Sequence, residues 1–134
     1  MSQIFSCDCQ ITAVAVTIPT TTETAVALTN PLRPPFENGK AVVWGVIQFT
    51  AGTAATAVSI RVRRNQSSEN VLLNGGGESV TVVAGTAYMV PFAFYDQVPD
   101  GRDCVYTVTV QQVSATGNGT VNTPSTIVAQ MISG

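Results

Sequence analysis

Three cysteines, eight carboxylates and six basic side chains carry most of the reactive chemistry of this 134-residue chain, and no histidine accompanies them. Without an imidazole, neither a Ser-His-Asp nor a Cys-His nucleophile system can be assembled. Cys7 and Cys9 stand two apart, so an extended chain puts both thiols on one face, poorly placed to bridge each other. A zinc site built on them would need carboxylates to complete it, because there is no second cysteine pair. Free thiols or one bridge through Cys104 is the simpler expectation, and the odd count argues against a disulfide scaffold. Asp96, Asp100 and Asp103 share one loop-like stretch, the oxygen-rich setting that calcium prefers. Their spacing does not follow the EF-hand, and Arg102 competes for them. Gly75-Gly76-Gly77 would suit a phosphate cradle only if a Lys-Ser/Thr pair and a helix followed. Ser79–Val83 alternates like a strand instead, so the glycines read as a hairpin tip. Lys40 is better explained as a solvated charge beside the Asn38-Gly39 turn than as a base. A glycosidase-type carboxylate pair finds little support, since most acids lie beside Gly or Asn in loops. The chain therefore reads as a non-enzyme with no cofactor and no metal.

The elements that would position these groups read as strands throughout. Val42–Phe49 is apolar on nearly every residue. Ala57–Arg64 alternates, with Val58, Ile60 and Val62 on one face and Ser59, Arg61 and Arg63 on the other. The turn Thr50–Ala54 between them suggests a central hairpin. In Ala87–Tyr95, Tyr88, Val90, Phe92 and Phe94 share one face, and Pro91 marks the strand as an edge or a bulged one. Cys104–Val113 places Tyr106, Val108 and Val110 together, and Ser125–Ile132 closes the chain with an apolar run. With Asn38-Gly39, Asn74-Gly75 and Asn118-Gly119 as punctuation, roughly eight to ten short strands recur at intervals of about 8 to 12 residues. The fold class is all-β, an antiparallel β-sandwich of jelly-roll type. Residues 1–18 form an extended N-terminal arm or a first strand, and residues 19–134 the jelly-roll domain.

Charge narrows the partners. Only 10% of residues are charged, against about 25% in ordinary globular domains, and weakly charged surfaces associate readily. The net charge is −2 and the N-terminus lacks basic residues, so nucleic acid is not an expected partner. No apolar run is long enough to span a membrane, and no charged n-region marks a signal peptide. Trp44, Phe49, Tyr88, Phe92, Phe94, Tyr95 and Tyr106 exceed what scattered surface positions need. Each lines either the sandwich core or a second apolar face, and that face requires another layer or a neighbouring subunit.

The stretches AVSIRVRRNQ, ESVTVVAGTAYMVPFAFYDQVPDGRDCVYTVTVQQVSATGNGTV and STIVAQMI resemble small jelly-roll proteins of bacteriophage virions. They also resemble the trimeric heads of the tumour-necrosis-factor and C1q-like kind found in phage fibres and spikes. The shared rhythm covers about Val42–Ile132: an arginine-flanked strand, a Gly-rich hairpin, an AGT turn into an aromatic strand, a YTVTVQ strand and a last apolar strand. The resemblance implies a homotrimer serving as a capsid decoration, spike or head-fibre protein in the virion. Trp44, Tyr88, Phe92, Phe94 and Tyr106 would face the subunit interface. Ile4, Phe5, Ile11, Val14 and Val16 would attach an arm to the shell. The expected partners are further copies of the chain, other virion proteins such as the major capsid protein, and a host-surface glycan. Two other readings stay open: a carbohydrate-binding module, and a capsid or filament subunit that exchanges its N-terminal strand.

Overall fold

A computed structural model describes residues 3–12, 14–19, 21–34, 39–53, 56–66, 69–73, 78–98, 101–112 and 117–133, with backbone alone at residues 3–5, 56, 69, 78–79 and 133. The strands are β1 (Gln3–Ile11), β2 (Val16–Ile18), β3 (Thr24–Leu28), β4 (Gly39–Thr50), β5 (Thr56–Gln66), β6 (Glu69–Leu72), β7 (Glu78–Val82), β8 (Ala87–Val98), β9 (Cys104–Gln112) and β10 (Gly119–Ser133). They form two five-stranded sheets. The front sheet runs β1-β10-β4-β8, with β2 also on β10, and the back sheet runs β3-β9-β5-β6, with β7 also on β5. Every strand-to-strand pairing is antiparallel.

Most links between successive strands cross from one sheet to the other, which is the habit of a jelly roll. Here the structure corrects one expectation. β4 and β5 are not a hairpin, because β4 pairs with β10 and β8 while β5 pairs with β9, β6 and β7. Both strands bury an apolar row, Val43, Ile47 and Phe49 on β4 and Val58, Ile60 and Val62 on β5, the latter followed on the same face by Arg64 and Gln66. Placed in opposite sheets, both rows enter the one core between the sheets. The Asn118-Gly119 link likewise leads from the back sheet to the front sheet. The tip at Asn74–Gly77 lies outside the described residues.

The core is completed by Val90, Phe92, Phe94 and Val98 from β8, Tyr106, Val108 and Val110 from β9, and Val121, Ile127, Ala129 and Met131 from β10. β8 is the edge of the front sheet, where Pro91 opposes Val46 of β4 without disrupting the pairing. β10 slips register between Asn122 and Thr126. There the hydroxyls of Thr126 and Ser125 accept the Val46 and Gln48 backbone N–H groups at 3.2 and 3.0 Å, so the bulge leaves those donors satisfied. Gly45 sits at this crossing, with the Thr126 carbonyl and the Phe92 ring in the space a Cβ would need.

The N-terminal segment is part of the sheet. β1 pairs with β10 from Gln3↔Ser133 to Ile11↔Thr126, and β2 continues along the same strand from Val16↔Val121 to Ile18↔Gly119. Ile18 is fully buried in the core, and the Gln112 side chain donates to its carbonyl at 3.1 Å.

Candidate functional site

Strand alternation gives each sheet an outward face, and the two differ in chemistry. On the back sheet, Arg61, Arg63 and Asn65 of β5 stand beside Thr107 and Gln111 of β9. Glu23 collects the first two: Arg61 Nη1 donates to one carboxylate oxygen at 3.1 Å, and Arg63 donates to both at 2.8 and 3.0 Å. The Arg63 hydrogen bonds hold the Glu23 carboxyl below its usual pKa. Arg61 also donates to the Gln111 amide. This surface is polar and charged, with two guanidiniums sharing one carboxylate.

The outward face of the front sheet is apolar over four strands. Register aligns it in rows: Cys9–Val128–Trp44–Ala93, then Cys7–Gln130–Val42–Tyr95, then Ile11–Thr126–Val46–Pro91. Met89, Ile132, Gln48 and Gln97 border these rows. Ile11, Met89 and Tyr95 are 60%, 69% and 52% exposed, whereas Val42, Trp44 and Val46 are half-buried by their neighbours. Among the described residues, Lys40 is the single charge on this face. None of the other described residues forms a layer over it. A largely apolar surface reaching across four strands, interrupted by Gln130 and Thr126 of β10, is the kind that marks a contact with another molecule.

The candidate interface residues divide accordingly. Trp44 lies in the middle of the face. Phe92, Phe94 and Tyr106 do not reach it: they are 4%, 4% and 0% exposed and point between the sheets. That corrects their assignment to a subunit interface, and the reason is parity. In β8 the even-numbered positions point inward and the odd-numbered Met89, Pro91, Ala93 and Tyr95 outward. Tyr88 shares the inward parity, is half-buried against the core, and accepts the Val83 N–H at 3.3 Å. Of the shell-attachment residues, Ile11 projects from the face and Val14 is 72% exposed in the link between β1 and β2, while Val16 packs against the core. Ile4 and Phe5 lie in β1, and their side chains fall outside the described residues. Tyr95, one of the surplus aromatics, takes the second apolar face, and Val42, Val46 and Val128 are the members that residue-by-residue reading did not single out. Their signal was the run of apolar residues at even positions of β4 and β10, the parity opposite to the buried one.

At one end of the core lies a polar cluster. Arg64 turns inward, away from Arg61 and Arg63, and its Nη1 donates to both Asp96 oxygens at 2.7 Å. Tyr106 Oη donates to the same carboxylate at 2.8 Å. The side chains of Arg64 and Asp96 are 5% and 7% exposed, so this ion pair joins the two sheets out of reach of water. Burial pushes the neighbouring Cys104 thiol up to about 11 and raises the Tyr106 phenol as well. The expected acidic cluster is thereby dispersed: Asp96 belongs to Arg64, Asp103 pairs with Arg33 at 3.1 Å, and Asp100 lies outside the described residues. Among the described residues, no three His, Cys, Asp or Glu side chains gather as a metal site would require. No helix among them is long and apolar enough to cross a membrane.

No family model matches the chain, and no curated protein does. Solved structures do share its fold. A chain of the T13 infectious bursal disease virus particle superposes with a TM-score of 0.55 at 9% identity, covering 95% of this chain and 37% of that one. The VP2 protein of the same virus in T=1 particles gives 0.52 at 8% identity, with 95% and 37% covered. Eiger TNF from S. frugiperda gives 0.47 at 10% identity, with 96% and 92% covered. The present chain thus spans little more than a third of the viral chains it matches. At such identities the likeness is one of fold: an all-β, jelly-roll-like sandwich of two antiparallel sheets.

Proposed function

We propose that this chain is a non-enzymatic structural protein of a virion, a capsid decoration or spike protein that assembles as a homotrimer through the outward face of its front sheet. The observation that carries the reading is the contrast between the two sheet faces: one polar, with Arg61 and Arg63 ion-paired to Glu23, the other largely apolar across β1, β10, β4 and β8 with Lys40 at its margin. A face of that kind is stable in water only when covered, and further copies of the same chain are always at hand to cover it. The shared fold with chains of a viral particle supports the virion setting, and the bacteriophage resemblance of the strand sequence points the same way. The shell partner would be a capsid protein, reached from the margin carrying Ile11 and Val14.

Light scattering of purified, reduced protein over a range of concentrations tests the assembly. A constant mass of three chains is expected. A mass that grows without limit would replace the closed trimer by an open polymer. A single-chain mass at all concentrations would overturn the reading and favour a carbohydrate-binding module, for which Trp44 and Tyr95 would supply the aromatic platform.

A further inference from the structure

Cys7 and Cys9 stand on the apolar face itself, in the outermost strand, beside Gln130 and Val128. Both are exposed and free, whereas Cys104 is free but 1% exposed. Two residues along a strand separate same-face positions by about 6.6 Å, and a disulfide needs Cβ atoms about 3.5–4.5 Å apart. Cys7 and Cys9 of one chain therefore cannot bond each other while β1 stays paired. Cys104 cannot serve either, being enclosed between the sheets. Any disulfide that the folded protein forms with itself must join separate copies.

We infer that Cys7 and Cys9 are an intersubunit locking pair, each chain giving one thiol to each of its two neighbours in a closed ring. This rests on the self-association proposed above. In a head-to-tail ring every contact brings different positions of the chain together, and the lock sets Cys7 of one copy opposite Cys9 of the next. Two thiols per chain are then the number that links all members covalently with none left over; one thiol could link only pairs. The oxidant is a small aliphatic disulfide. A thiolate attacks it and releases one small thiol, and the neighbouring subunit's thiolate displaces the second from the mixed disulfide. Two protein thiols and one small disulfide thus become one protein disulfide and two small thiols. The lock closes when an assembly made under reducing conditions meets an oxidising medium.

The test equilibrates full-length protein with oxidised glutathione and reads denaturing, non-reducing gels and intact mass, beside light scattering of the reduced sample. Wild type is expected to end as a covalent trimer, and Cys7→Ser and Cys9→Ser each to go no further than a covalent dimer. The double variant should remain uncrosslinked yet keep the reduced protein's mass in solution. A reduced protein of three-chain mass that yields only glutathione adducts would overturn the lock and leave the trimer standing. A reduced protein of single-chain mass would overturn the assembly reading and the lock with it. Covalent species that ladder past three chains would overturn the closed ring.

Discussion

The most constrained side chains are the polar ones inside. Arg64 is unlike its neighbours in the Arg61–Arg64 run, because strand parity sends it between the sheets to Asp96. The pair is useful only when complete. Replacing one partner strands the other charge in a dry environment, at a cost of about 3–5 kcal/mol. Tyr106 donates one hydrogen bond to the same carboxylate, and its loss costs about 1–2 kcal/mol. Urea denaturation should therefore rank Asp96→Ala well below Tyr106→Phe in midpoint, with Tyr106→Phe below wild type. Equal midpoints for the two variants would mean that Arg64 finds other solvation on losing Asp96. The sequence held part of this. Asp96 continues the inward series of Phe92 and Phe94 in β8, so its burial was readable from parity. Its partner was not, since β5 and β8 lie in different sheets and no spacing rule links residues 32 apart.

Among the strands, local pattern was legible and pairing was not. The alternating faces of β5, β8 and β9 follow from the order of apolar residues, and Pro91 correctly marks β8 as an edge. What failed was the step from adjacency to pairing. A short link between two strands suits a hairpin, yet the same link carries β4 across to β5, and both apolar rows enter the one core. The β4–β10 crossing shows a further constraint invisible in one dimension. Gly45 is there because the Thr126 carbonyl and the Phe92 ring leave no room for a side chain. Gly85 is different: its φ of 69° favours glycine, but nothing lies near its absent Cβ. Gly85→Ala should cost about 1–2 kcal/mol of left-handed strain. Gly45→Ala must move backbone and lose ladder bonds, so a cost above about 3 kcal/mol or loss of soluble folded protein is expected. Thermal melting of the two variants checks this. A Gly45→Ala melting point at or above that of Gly85→Ala would show that the crossing opens without strain.

For the molecule as a whole, the question is which surface meets the next copy, and the two faces predict different responses to the same substitution. Met89 and Tyr95 project from the front face and are exposed enough to accept a solvated charge without disturbing the core. Leu28, in β3 of the back sheet, is 56% exposed and offers a matched control. If the front face is the contact, Met89→Lys with Tyr95→Lys places like charges where copies meet and weakens association by about 100-fold or more. Leu28→Lys leaves the assembled mass unchanged, and all variants keep the wild-type far-ultraviolet circular dichroism. Salt separates the physics further. An apolar contact whose single charge among the described residues is Lys40 should be indifferent to sodium chloride between low and physiological strength, and sulfate should tighten it. Sedimentation equilibrium of the three proteins in both salts gives the answer. Dissociation by Leu28→Lys, or by sodium chloride alone, would move the contact to the charged back sheet and leave the apolar front face for a partner other than the chain itself.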